Sequence, residues 1–182
     1  LCDLDPELIK LANKECLLSS TYEPSSKTKM KLRAAPGAGT MYLQSECAEA
    51  LAELFAGAEE AGYKLYLKSA YRAYKTQKTM YNNRLERNNG KDDGWVSKPG
   101  ASDHQTGLGC DVVPGSWKDK SMNSNMASTP ECQWMAEHCY EYGFVIRYPE
   151  DKQDITEINY EPWHLRYVGK EVARYILSLI HI

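Results

Sequence analysis

Between Ser45 and Ser69 the chain changes from one hydrophobic period to another with almost no spacer. Ala48, Leu51, Ala52, Phe55 and Ala58 recur at helical spacing, Gly62 stops the run, and Lys64–Ser69 then alternates with Leu65 and Leu67 on one face. The first pattern predicts an amphipathic helix over 45–61 and the second a half-buried strand. A helix so close to a strand lays its apolar stripe on the sheet that the strand joins, which demands a helix-on-sheet layer.

The rest of the chain continues in this way. A short helical pattern over Pro6–Leu17 opens a stretch mixed with Ser, Lys, Pro and Gly, so residues 1–40 read as an N-terminal arm leading to the Pro36-Gly37 turn. Residues 41–182 then form a single domain. A helix is predicted over Lys75–Arg87, stopped by Asn88-Asn89-Gly90, with loop from Lys91 to Ser102 and a strand over Leu108–Val113. After a further loop, Thr129 is a plausible N-cap and Pro130 the first residue of a helix that runs to Gly143. Strands are predicted over Phe144–Arg147, Ile155–Tyr160 and His164–Tyr167, and a last helix over Gly169–Leu179. The elements lack a regular βαβ rhythm, so the fold class is α+β, with helices packed on a small, mostly antiparallel sheet.

Composition excludes several classes of partner. With 182 residues, 42% of them hydrophobic, the chain buries a core without needing a metal or disulfide merely to fold. The net charge of −3 and the lack of a Lys/Arg run with interleaved aromatics exclude nucleic acid as a partner. No stretch approaches the roughly 20 apolar residues of a membrane span. The chain begins at Leu1, which leaves room for a removed signal peptide or anchor. The six cysteines permit disulfides or buried free thiols. Cys132 and Cys139 lie about 10 Å apart along one predicted helix and cannot bridge, and no CxxC spacing suggests a structural zinc site.

Two of the four histidines sit in unusual company. His104 follows Ser102-Asp103, with Asp111 seven residues on, and His164 closes Glu161-Pro162-Trp163-His164. Imidazole nitrogen and carboxylate oxygen are zinc ligands, and three of them leave one position for water, as in catalytic sites. A straight strand would hold His104 and Asp111 more than about 20 Å apart and a helix about 10 Å. A shared ion therefore requires the chain to bend, which Gly107 and Gly109 permit. A carboxylate such as Glu161 beside that water takes its proton and passes it to a leaving amine. Each residue also has a plainer reading: a core or surface histidine, a strand-ending aspartate, a solvated glutamate, a packed tryptophan.

Four linked stretches resemble the zinc D-Ala-D-Ala carboxypeptidases of the VanY type. They are Ser69-Ala70-Tyr71-Arg72 with Gln77, then Pro99 through Leu108 to Asp111, then Tyr142 through Pro149, and finally Glu161 through Gly169. They occur in order over roughly residues 45–177. The resemblance implies one zinc ion held by His104, Asp111 and His164, with Glu161 as catalytic base. It further implies that Arg72 holds the scissile carbonyl or a substrate carboxylate, and that Gln77, Ser102, Tyr71 and Trp163 line the substrate cleft. A fixed guanidinium suits an oxyanion, whereas Trp163 is expected to pack beneath the site and orient His164. The implied fold is the one these peptidases share with the signalling domain of Hedgehog proteins. Asp103 stands where the family commonly has Glu, and Gly109-Cys110 replaces a small apolar pair. Cys110 adjoins Asp111 but points to the other face of a strand, which favours Asp111 as the ligand.

The expected substrate is a peptidoglycan stem peptide ending in D-Ala, with D,D-carboxypeptidase activity first. An L,D-carboxypeptidase acting on tetrapeptide stems and a non-hydrolytic zinc-containing peptidoglycan-binding module are the alternatives. Such a substrate places the protein outside the cytoplasm of a bacterium, secreted or membrane-tethered.

Overall fold

The structure is a computed structural model that describes residues 5–180. A small hairpin, β1 (Thr28–Lys29) with β2 (Tyr42–Leu43), precedes the first helix, α1 (Ser45–Glu60). The Ala-rich α1 turns Cys47, Ala48, Leu51, Leu54, Phe55 and Ala58 inward. It ends where Gly62, at φ +85°, takes the left-handed conformation that lets its N–H reach back to the Glu59 carbonyl. Strand β3 (Leu65–Ser69) follows, with Leu65 and Leu67 buried as the alternation requires. Helix α2 (Tyr74–Arg87) is polar around most of its surface and buries only Gln77.

Strand β4 (Gly109–Pro114) is buried along its whole length. Thr129 caps α3 (Pro130–His138) by accepting the Cys132 N–H at 3.3 Å. The predicted helix to Gly143 tightens into a 3-10 turn over Cys139–Tyr142 before β5 (Phe144–Ile146). A single helical turn, α4 (Gln153–Thr156), precedes β6 (His164–Tyr167) and the last helix, α5 (Lys170–Ile180). The sheet runs β3-β4-β6-β5 with every pair antiparallel. One face carries Leu67, Cys110, Val112 and Leu165 into the core built with α1 and α3. The other face carries Asp111 and His164, directly opposite one another across β4 and β6.

Two predicted elements are absent. Pro6–Leu17 forms turns, because the Asn13 side chain accepts the N–H groups of Glu15 and Cys16, and the carbonyls of Leu8 and Lys10 accept from Arg166. A side chain that supplies local bonds competes with the helix. Ile155–Tyr160 forms α4 followed by an irregular stretch, with Glu157 at φ +55°. Residues 5–40 lie along the domain and bond to it. Leu18 N–H donates to the Gly100 carbonyl, Gln105 Nε2 to the Ser19 carbonyl, and Ala35 N–H to the Leu67 carbonyl. Cys47, Cys110, Cys132 and Cys139 are buried free thiols and Cys16 is an exposed one, whereas Cys2 lies outside the described residues. Among the described residues, no helix is long and apolar enough to cross a membrane.

Candidate metal centre

The bend between His104 and Asp111 is a turn of 3-10 helix, Asp103–Thr106, closed by Gly107 at φ +71°. Gln44 holds this turn at the start of α1: its backbone N–H donates to the Gly107 carbonyl and its Nε2 to the Thr106 carbonyl. The chain reverses there into β4, and His104 Nε2 comes within 3.4 Å of Asp111 Oδ2. His164 is placed by the strand pairing, with Nδ1 3.2 Å from Asp111 Oδ1. Ligand atoms from all three residues lie within 4.8 Å of one another, and all three side chains are buried.

These residues fit a divalent cation. Tetrahedral zinc with legs of about 2.0–2.2 Å sets neighbouring ligand atoms roughly 3.3–3.6 Å apart, close to both distances from Asp111. Asp111 Oδ1 is buried without a hydrogen-bond partner, a costly state for a carboxylate oxygen that a cation relieves. The outer partners also turn the right nitrogens inward. His104 Nδ1 lies 2.7 Å from the Ala70 carbonyl, which can only accept, so Nδ1 carries the proton and Nε2 keeps its lone pair for a metal. His164 Nε2 donates to Asp103 Oδ1 at 2.8 Å, leaving Nδ1 for the metal.

Electrostatics match this arrangement. Burial and the Arg72 charge push the His104 pKa down, so that ring is neutral. Burial opposes a charged Asp111, yet His104 and His164 hold its carboxyl well below the usual range. The same opposition at Asp103 is outweighed by His164 and Arg166. Burial disfavours a charged His164, but Asp103 and Asp111 raise its pKa to about 10 in the metal-free protein. A metal therefore displaces a proton from Nδ1 on binding.

Glu161 reaches the centre through a turn. Its carbonyl accepts the His164 N–H at 3.1 Å, with Pro162 fixing the corner, and Oε2 stands 3.4 Å from His164 Nδ1. Burial raises its pKa to about 8; His164 opposes the rise and Asp111 adds to it. Arg72 is clamped, donating from Nη1 to Gln77 Oε1 at 2.8 Å and from Nη2 to Ser69 Oγ at 2.9 Å. Gln77 Nε2 in turn donates to the Ser97 carbonyl.

A cleft of about 360 Å³ opens over the three ligands, Glu161 and Arg72, and Gln77, Ser102 and Trp163 also line it. Trp163 is 4% exposed and stacks at 6.5 Å on Trp95, which the sequence reading passed over as part of a loop. The structure does not bring Tyr71 to this cleft: its hydroxyl donates to Glu23 Oε2 in the N-terminal segment. Asp103 was read only as a neighbouring charge, but it is the residue that orients His164. Its place directly before a ligand histidine was the one signal available. Ser69 and Tyr148, whose ring packs 5.0 Å from that of His164, lay in the family-like stretches but were given no role, and Trp95 carried no signal. Cys110 lies in the core cluster on the opposite face from Asp111.

Residues 40–170 match the VanY family, D-alanyl-D-alanine carboxypeptidase. The putative carboxypeptidase YodJ of Bacillus subtilis is 39% identical over 176 residues, or 94% of this chain and 64% of that protein. The chain thus spans less than two thirds of that relative. The LdcB LD-carboxypeptidase superposes with a TM-score of 0.88 at 38% identity, over 96% of this chain and 83% of its own. VanYB in complex with D-alanine-D-alanine superposes with a TM-score of 0.77 at 26% identity, over 94% and 92%. The α+β architecture is thus the Hedgehog/DD-peptidase fold. With that match over most of its length and a buried His-Asp-His donor set at the expected positions, the chain belongs to the VanY family of zinc D-Ala-D-Ala carboxypeptidases.

Proposed function

We propose that this chain is a zinc metallocarboxypeptidase that removes the terminal D-alanine from peptidoglycan stem peptides. The observation that carries this reading is the meeting, in one cleft, of the His104-Asp111-His164 donor set with buried Glu161 and clamped Arg72. A zinc ion held there supplies a Lewis acid to the scissile carbonyl and makes water more acidic. In its ionised form, Glu161 accepts the proton of the attacking water as the C–O bond forms. It then delivers that proton to the D-alanine nitrogen as the C–N bond breaks. Arg72 keeps donors beyond those given to Ser69 and Gln77, and these are available to an oxyanion or the terminal carboxylate. Gln77 and Ser102 offer polar groups to the peptide, Trp163 lines the cleft stacked on Trp95, and Tyr148 packs against the His164 ring.

Of the two stem lengths, the tetrapeptide is favoured, which makes the protein an L,D-carboxypeptidase. Support comes from the likeness to LdcB, which exceeds that to VanYB in both identity and superposition. The D,D reading expected from the sequence becomes the second, sustained by the family match. A non-hydrolytic zinc module needs neither a base nor a clamp, so Glu161 and Arg72 count against it. The substrate puts the protein outside the cytoplasm, secreted or tethered.

The test is D-alanine release from matched tetrapeptide and pentapeptide stems by the zinc-loaded protein, with Glu161→Gln in parallel. Preference for the tetrapeptide, abolished in the variant, is the expected result, and preference for the pentapeptide returns the D,D reading. Release from neither, with one zinc bound per chain, removes the peptidase assignment.

A further inference from the structure

Arg166 is charged, 4% exposed, and unused by the chemistry above. It lies on the same face of β6 as His164, two residues on. A guanidinium this deeply buried must spend its donors on fixed acceptors. Nε donates to the Tyr167 carbonyl at 2.9 Å, and Nη2 donates to two carbonyls of the N-terminal segment, Leu8 at 3.0 Å and Lys10 at 2.8 Å. Nη1 points to Asp103, 3.9 Å from Oδ2. That oxygen is buried with no hydrogen-bond partner of its own, while Oδ1 of the same carboxylate holds His164 Nε2. A continuous path of polar contacts therefore joins the backbone at residues 8–10 to a ligand of the metal centre.

We propose that Arg166 is a positioning residue, held by the carbonyls of Leu8 and Lys10, which sets Asp103 and through it the orientation of His164. The segment that precedes the catalytic domain is thereby part of the support of the metal centre. This inference rests on His164 being a metal ligand, and it goes beyond the proposed reaction. The two Nη2 bonds hold the guanidinium beside Asp103, with Nη1 3.9 Å from Oδ2, so that its charge fixes the carboxylate and Oδ1 is left to His164. If the segment lifts, Nη2 loses both acceptors in a buried site and the guanidinium leaves its place beside Oδ2. Asp103 then loses the charge that fixes it, and the imidazole loses its firm anchor.

The experiment measures zinc affinity by chelator competition, well below the melting temperature, in the full chain and three variants. Asp103→Asn weakens the anchor directly, and outer partners of ligand histidines are worth about 10–100-fold in metal affinity. Arg166→Met removes the guanidinium but keeps bulk, and Leu8→Asp dislodges the segment at a residue remote from the metal. Arg166→Met and Leu8→Asp are each expected to weaken zinc binding about tenfold, the low end of that range. Leu8→Asp combined with Asp103→Asn is expected to be little worse than Asp103→Asn alone, as links of one path are not additive. The d–d absorption of the cobalt-loaded protein is expected to shift alike in Arg166→Met and Leu8→Asp. Unchanged zinc affinity and an unchanged cobalt spectrum in Leu8→Asp, even with a lower melting temperature, overturn the proposal; this holds even if Arg166→Met fails to fold. If Asp103→Asn also binds zinc like the parent, Asp103 does not anchor His164 and the proposal falls, while the donor set of the metal centre stands.

Discussion

Glu161 and Gly109 act on the centre in different ways, and substitutions separate them. Glu161 is a carboxylate 3.4 Å from His164 Nδ1 that no ligand count requires. Glu161→Gln is expected to keep one zinc per chain and to lower kcat by about 10²–10⁴-fold, the usual contribution of a general base; metal analysis alongside D-alanine release checks it. Gly109 has no side chain because there is no room for one: a Cβ would stand 2.7 Å from Asp103 Oδ1 and 3.1 Å from the Asp103 carbonyl carbon. Gly109→Ala therefore displaces the Asp103 carboxylate that holds His164 and presses on the Asp103 backbone. It is expected to cost about 1–3 kcal/mol of stability and to weaken zinc binding, measured by melting and chelator competition. At this scale the ligands were legible because the chain has few histidines and two stand near carboxylates in punctuated stretches. The Asp103–His164 bond was not legible, since its partners are 61 residues apart and only β4–β6 pairing brings them together.

Two loops wall the cleft, and side chains outside them tie each one down. Asn159 Nδ2 donates to the Asp93 carbonyl while its backbone N–H donates to the Gly94 carbonyl, and Arg84 pairs with Asp93 from α2. On the far side, Lys68 Nζ donates to the carbonyls of Trp117, Lys118 and Lys120, ahead of the Met122 and Asn123 that line the cleft. Lys68 is the extra residue of a bulge, since the register with β4 shifts between Leu67 and Ser69. Asn159→Ala and Lys68→Met are each expected to raise KM about fivefold, the worth of one hydrogen bond, with a smaller change in kcat. Steady-state kinetics on the preferred stem peptide read that split. The same scale shows why some elements were predictable. Helix α1 and strand β3 carry complete periodic patterns and clear stops, so local sequence decides them. Residues 6–17 and 155–160 carry partial patterns, and there long-range partners decide: Arg166 takes the carbonyls of the first, and Asn159 fastens the second to residues 93–94.

For the molecule as a whole, the metal centre stitches the 3-10 turn to two neighbouring strands. Ligand that binds only the folded state stabilises it by about 2.7 kcal/mol at a hundredfold excess over Kd. For a chain of this size that corresponds to a melting temperature about 5–10 °C higher. Stripping with a chelator is expected to lower the melting temperature by that amount, and added zinc to restore it; equal melting with and without metal would show that the site is not filled in the folded protein. The α+β layering was legible from the helix-to-strand switch at Gly62, because one helix stripe and one alternating strand already imply the layer between them. The order of strands was not, because β4 and β6 pair across the whole of α3 and β5. That pairing also has a consequence in time. The ligands stand at positions 104, 111 and 164, so a chain emerging from a ribosome or threading through a membrane pore has no complete centre until its last strand is laid down. The complete centre therefore forms only once β6 has paired with β4, and the ion is drawn from whichever compartment that pairing takes place in.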